Sequence, residues 1–125
     1  MREIVEQLGR APDRLFVAVS TTGTIGGCVR YLQQAGAETQ VTAVDADGSV
    51  LFGGRRGERK LPGFGAGVVP DLASLTSVTD VVRVTAGDTV CGARALARRE
   101  GILPGASGGA AVSYTHLTLP TKRIV

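Results

Sequence analysis

One stretch constrains the chain more than any other: Leu15 to Leu32, LFVAVSTTGTIGGCVRYL. Five consecutive apolar residues, Leu15 to Val19, read as a strand covered on both faces, as in a parallel sheet. Six of the next seven positions are hydroxyl residues or glycine: Ser20, Thr21, Thr22, Gly23, Thr24 and Gly26. Ile25, Val29 and Leu32 then recur at helical spacing, so a helix opens directly from the loop and runs to Gln34, with Gly36 as its break. A strand that breaks into small residues and opens a helix is suited to hold an anion. The first-turn amides have no acceptor inside the helix, and the dipole end there is positive. Glycine lets the backbone approach the anion, and threonine hydroxyls add donors. The plain alternative is a tight strand-to-helix turn with Thr22 or Thr24 as N-cap. The loop by itself is compatible with both.

The remaining pattern surrounds this unit. Arg2 to Gly9 predicts a short amphipathic helix with Ile4, Val5 and Leu8 on its buried side. Gln40 to Asp45 predicts a second strand, so strand, helix and strand form a right-handed βαβ unit with a parallel pair. Ala46 to Pro70 holds seven glycines and two prolines, long for a connection in a compact domain. Its Leu61–Pro70 segment, LPGFGAGVVP, alternates glycine with apolar residues and reads either as backbone lining a pocket or as a mobile surface loop. A helical turn is expected at Pro70–Leu75 and a third strand at Asp80–Thr85. A third helix is expected at Thr89–Arg99, with Val90, Ala93, Leu96 and Ala97 inside and Arg94, Arg98 and Arg99 outside. Gly101 to Ala111, GILPGASGGAA, offers a second small-residue loop around Ser107 and another helix start.

Composition narrows the function classes. The length of 125 residues suits one domain, and 43% hydrophobic content with 4% aromatics gives an aliphatic core. The net charge is only +3, and the basic clusters Arg55-Arg56, Arg59-Lys60 and Arg98-Arg99 carry no interleaved aromatics, which argues against nucleic acid as a partner. Cys28 and Cys91 lack metal-ligand spacing and read as reduced core residues, consistent with a cytoplasmic protein; no metal site is expected. No apolar run is long enough for a membrane span. The lone His116 lacks a nearby carboxylate or cysteine and reads as a surface or packing residue.

Two binding chemistries fit the first unit. A dinucleotide site would use the glycine loop and an acidic residue about 20 positions further on, where Asp45 stands. The spacing Gly23-Thr24-Ile25-Gly26-Gly27 is not G-x-G-x-x-G, however, and three consecutive hydroxyls suit a phosphate monoester better than a pyrophosphate. The other chemistry comes with a resemblance. STTGTIGGCVRYL resembles the phosphate-cradling loop and helix of the cysteine synthase family, the fold-type II pyridoxal phosphate enzymes. EGILPGASGGAA at Glu100–Ala111 resembles that family's segment near the cofactor ring nitrogen, and LPGFGAGVVP its glycine-rich loop near the substrate. VDADGSVLFGG at Val44–Gly54 resembles the branch that makes a 2,3-diaminopropionate precursor in siderophore pathways. The first three of these motifs occur in the family's order between Ser20 and Ala111.

The resemblance implies an α/β fold, a parallel sheet with flanking helices forming part of the large domain of a fold-type II enzyme. It implies that Ser20, Thr21, Thr22, Gly23 and Thr24 form the phosphate cup and that Ser107 bonds the pyridine nitrogen; without the family context Ser107 would read equally well as an N-cap. Ser20 replaces a glycine common in the family, which constrains its φ. A neutral hydroxyl at the ring suits β-elimination and replacement over transamination. The implied reaction uses O-acetylserine or O-phosphoserine, with sulfide or the glutamate amine adding afterwards, in an enzyme expected to be a homodimer. The family's cofactor-linking lysine has no counterpart: the two lysines are Lys60, in the glycine-rich stretch, and Lys122. The chain therefore reads as the C-terminal part of an enzyme, inactive alone, with residues 1–111 as a partial cofactor domain. Residues 112–125, VSYTHLTLPTKRIV, read as a non-native tail resembling adapter-derived peptides at the ends of metagenomic fragments. A regulatory α/β module that keeps the fold without the cofactor is a further alternative.

Overall fold

The computed structural model describes the backbone of residues 1–124 and the side chains of residues 1–115. The elements are α1 (Arg2–Leu8), β1 (Arg14–Ala18), α2 (Gly23–Gln34), β2 (Gln40–Ala46), β3 (Asp80–Val84), α3 (Ala86–Glu100) and α4 (Ala106–Ile124). Two 3-10 turns, Leu51–Gly53 and Asp71–Leu75, lie between β2 and β3. The three strands form one parallel sheet in the order β1-β2-β3. Leu15 stands opposite Val41, and Val44 opposite Val82. The α/β class and the parallel βαβ unit are as the sequence implies.

Alternation along the strands divides the core in two. Val19, Val41 and Ala43 pack with Ile25 and Leu32 of α2, with Leu15 and Val17 against them. On the other side Val44, Ala46 and Val84 pack with Phe64 and with Ala110 of α4, joined by Phe16, Ala18 and Ala106. Tyr114 of α4 meets Phe16 with ring centroids 5.4 Å apart and an interplanar angle of 54°, a tilted geometry that aromatic pairs favour. β1 is thus covered on both faces, though its apolar side chains are only half-buried.

α3 and α4 touch backbone to backbone. A Cβ on Gly92 would strike the Gly109 carbonyl, and one on Gly109 would lie 2.5 Å from the Thr89 carbonyl oxygen. This close approach determines which face of α3 is buried. Thr89 and Gly92 are buried, whereas Val90, expected inside, is 38% exposed. The helix also begins three residues earlier than expected. The Thr85 hydroxyl accepts from the Asp88 N–H at 3.1 Å, and the Asp88 carboxylate accepts from the Thr85 N–H at 3.3 Å, a complete capping box. That cap ends β3 at Val84.

Other expectations are corrected at their margins. α1 has no buried residue; Ile4 is 40% and Leu8 58% exposed, because no sheet face covers them. β1 runs from Arg14 to Ala18, one residue earlier than read, while the Val19 N–H still donates to the Val44 carbonyl at 3.1 Å. Both thiols are free, but Cys28 is half-buried and Cys91 exposed, so Cys91 is not a core residue. The stretch after β2 is pinned at several points: the Asp47 N–H to Val84 O, Val50 N–H to Ala66 O and Gly57 N–H to Gly48 O, at 2.9–3.0 Å. The helical turn expected near Pro70 is the 3-10 turn Asp71–Leu75. Ser113 and Tyr114, early in the tail, belong to α4, with Ser113 only 3% exposed. His116 lies outside the residues whose side chains are described. No helix among the described residues is long and apolar enough to cross a membrane, and no group of potential metal ligands is found among them.

Candidate functional site

β1 delivers the chain to Ser20 at the carboxyl end of the sheet, and α2 begins three residues later. The turn is made at Thr22, the N-cap of α2, which adopts the left-handed conformation with φ 65° and ψ 5°. A threonine there costs about 1–2 kcal/mol relative to the ordinary helical region. The backbone of Thr22 caps the helix, accepting from the Gly26 N–H at 2.9 Å, but its hydroxyl makes no capping bond. Thr22 Oγ1 is buried and has no hydrogen-bond partner among the described residues. Thr24, the other candidate cap, lies exposed inside the first turn. The amides of Gly23, Thr24 and Ile25 have no intrahelical acceptor, and Thr21, Gly23 and Thr24 are open to solvent.

Ser20 takes a different part. Its φ is not positive; backbone strain falls on Thr22. The Ser20 hydroxyl donates to the Gly65 carbonyl at 3.2 Å, and the Gly65 N–H donates to the Val19 carbonyl at 2.6 Å. The glycine-rich segment expected either to line a pocket or to move freely is fastened to the loop that opens α2.

Ser107 lies in the first turn of α4, exposed, directly after Ala106. Ala106 packs in the cluster that contains Phe64, the neighbour of Gly65. Ser20 is therefore hydrogen-bonded to Gly65, while α4 and Phe64 belong to one apolar cluster. No hydrogen bond joins Ser107 to Ser20–Thr24 among the described residues.

Asp45, the acid that a dinucleotide site requires, is 0% exposed. Its Oδ1 accepts from the Ala46 N–H at 2.9 Å, and its Oδ2 stands 4.0 Å from Arg83 Nε. Burial raises its pKa above the usual carboxylate range, opposed by the neighbouring Ser49 hydroxyl, the Ala46 amide and the charges of Arg83 and Arg59. Arg83 also donates to the Leu51 carbonyl at 2.8 Å, tying β3 to the 3-10 turn. A carboxylate enclosed in this way cannot meet a ribose. The left-handed Thr22 and the Asp45–Arg83 pair carry no local sequence signal; the pair joins two neighbouring strands, β2 and β3.

The cradle at the start of α2 and the fold around it now have a context. Residues 1–123 match the family described as "Pyridoxal-phosphate dependent enzyme". The chain belongs to this family. Among curated relatives, it is 46% identical over 110 residues to N-(2-amino-2-carboxyethyl)-L-glutamate synthase of Ralstonia nicotianae, covering 88% of this chain and 32% of that protein. It is 41% identical over 117 residues to the synthase of the same name from Cupriavidus metallidurans, covering 94% and 34%. The chain thus spans about a third of the length of these curated relatives. Among solved structures, an O-acetylserine dependent cystathionine beta-synthase from Helicobacter pylori superposes with a TM-score of 0.81 at 26% identity, over 99% of this chain and 40% of that one. The K43A mutant of O-ureido-L-serine synthase, with O-ureido-L-serine bound, gives 0.81 at 30% identity, over 96% and 38%. The cysteine synthase-like family and the fold-type II architecture follow, and the dinucleotide reading is set aside.

Proposed function

We propose that the protein carrying this chain is a pyridoxal phosphate-dependent β-replacement enzyme acting on O-phospho- or O-acetyl-L-serine, in the branch that adds the glutamate amine. The observation that carries the reading is the cradle at the start of α2. A left-handed Thr22, with its hydroxyl buried and unpartnered, precedes three first-turn amides that lack internal acceptors. These are donors for a phosphate monoester, and the residues present fit the group. Ser20, Thr21, Thr22, Gly23 and Thr24 hold the phosphate, and the Ser107 hydroxyl meets the ring nitrogen. The 46% identity to a synthase whose product is a glutamate derivative supports the choice of branch.

When bound, the cofactor supplies an electron sink that lets the β-substituent of a serine ester leave and a nucleophile take its place. The chain's own residues bind and orient. The α2 amides and threonine hydroxyls fix the phosphate end, and the helix dipole adds to its stabilisation. Ser107 offers a neutral hydrogen bond at the far end and places no fixed charge there. The Ser20–Gly65 and Gly65–Val19 bonds hold the glycine-rich loop beside the cradle. The whole enzyme is taken to be a cytoplasmic homodimer.

The test is a titration of the chain with pyridoxal phosphate, pyridoxal and NADH, followed by absorbance and equilibrium dialysis. The expected result is binding of pyridoxal phosphate, loss of that binding when the phosphate is absent, and no saturable binding of NADH. Equal affinity for pyridoxal and pyridoxal phosphate would overturn the assignment of the cradle.

A further inference from the structure

A second polar cavity opens at the carboxyl ends of β2 and β3, with a volume of about 330 Å³. Arg59, Lys60, Asp47, Glu58 and Phe64 line it, together with the backbone of Gly87 in the first turn of α3. Three features of its wall point to a ligand class. First, two cations and two carboxylates face one space, and none of the four makes an ion pair or side-chain hydrogen bond among the described residues. All four are exposed, and charges of both signs around one space suit a zwitterion better than a simple anion. Second, Arg59 is supported along its length by backbone without side chains: its Cδ is 3.4 Å from the Cβ position of Gly65, and its Nη2 3.1 Å from that of Gly67. Arg56 Nη1 comes within 3.9 Å of the same Gly67 position; Arg56 and Gly67 lie outside the residues that line the cavity, so of the two guanidiniums, a group matched to carboxylates, Arg59 is the one in its wall. Third, Phe64 lines this cavity while its neighbour Gly65 accepts the Ser20 hydroxyl. One peptide unit thus links the cavity wall to the loop that opens α2.

We infer that this cavity is the subsite for the second substrate, an amino acid with a side-chain carboxylate whose amine is the incoming nucleophile. Arg59 and Lys60 take the carboxylates, and Asp47 and Glu58 take the ammonium group. The volume lies at the lower end of the range for small-molecule sites, which suits a molecule of glutamate's size. The inference rests on the β-replacement reading for the identity of the nucleophile.

The test uses the protein encoded by the full reading frame, loaded with pyridoxal phosphate. Release of acetate or phosphate from the serine ester without any amine tests the β-replacement reading. Equilibrium dialysis with radiolabelled L-glutamate, L-glutamine and L-norvaline tests the subsite. The expected result is a preference for glutamate over glutamine, with Arg59→Gln weakening glutamate about tenfold or more and abolishing the preference. Arg59→Lys should restore part of it, and Arg98→Gln, on the outer face of α3, should change nothing. Circular dichroism of each variant separates loss of binding from loss of fold. Glutamate affinity unchanged in both Arg59→Gln and Lys60→Gln would overturn the subsite even if the serine ester is cleaved. No cleavage of the ester, with Arg59-dependent glutamate binding intact, would overturn the reaction and leave the acidic amino acid subsite standing.

Discussion

Replacing Thr22 with glycine should make the chain more stable and a poorer phosphate binder. Thr22 sits at φ 65° as the N-cap of α2, and its buried hydroxyl has no partner. Glycine removes a left-handed penalty of about 1–2 kcal/mol and an unsatisfied buried hydroxyl worth about 1–3 kcal/mol. Against this stand about 0.8 kcal/mol for the lost methyl group and about 0.5–1 kcal/mol for glycine's greater freedom in the unfolded chain. The ranges leave the variant favoured by about 0–4 kcal/mol, with a midpoint of about 2 kcal/mol, which in a domain of this size raises Tm by roughly 6–10 °C. Thr22→Ala keeps the left-handed penalty and should gain less than Thr22→Gly, so the pair separates strain from the orphaned hydroxyl. For binding the sign reverses. A hydrogen bond to a charged group contributes about 1.5–3 kcal/mol, so Thr22→Gly should weaken pyridoxal phosphate by tenfold or more. Thermal melts of the three chains, with dialysis against the cofactor, measure both quantities. A lower Tm for Thr22→Gly, or cofactor affinity equal to that of the parent, would refute the reasoning.

Three further outcomes are expected. Asp45 has a pKa raised by burial, so the folded state holds its proton more tightly than the unfolded chain does; stability from this group falls as pH climbs from the unfolded value of 3.8 toward the folded one, then levels off. Asp45→Asn, which can keep an acceptor for the Ala46 amide, should therefore gain on the parent as pH rises through that window, measured by urea unfolding at a series of pH values; a difference that does not vary with pH would contradict the linkage. Gly109→Ala should be destabilising by about 1–3 kcal/mol, because the new methyl carbon would stand 2.5 Å from the Thr89 carbonyl oxygen and 2.9 Å from Ala93 Cβ; chemical denaturation measures it. Borohydride treatment of the chain with pyridoxal phosphate should leave no stoichiometric adduct at Lys60 or Lys122, as intact-mass spectrometry would detect, since Lys60 lines the neighbouring polar cavity and not the cradle at the start of α2.

What was legible in the sequence was whatever repeats locally. The apolar run at Leu15–Val19, the small-residue break and the spacing of Ile25, Val29 and Leu32 were enough for the βαβ unit, because strand and helix periods are properties of adjacent residues. The same reasoning misplaced Val90, since helical periodicity marks an apolar stripe but not which neighbour will press against it; the contact of Gly92 with Gly109 selects a face through the absence of side chains. Ile4 and Leu8 show the complementary failure, an amphipathic pattern without a surface to bury it. The early start of α3 was written in Thr85 and Asp88, a capping signature with aspartate in the place where glutamate is usually sought. In the candidate site, the donors at Ser20–Thr24 were readable as residue types. The conformation of Thr22 was not, nor was the choice between pocket wall and free loop for Leu61–Pro70, because bonds between residues 45 positions apart decide the latter.

The two bonds at Gly65 have a consequence for how the molecule responds. One joins the glycine-rich loop to the last carbonyl before Ser20 and the other to the Ser20 hydroxyl itself, so a shift of the loop is transmitted to the entrance of α2. Whatever orders one of these segments lowers the entropy cost of ordering the other. Occupants on the two sides of Phe64–Gly65 should then strengthen each other's hold reciprocally, by a single hinge of two peptide units.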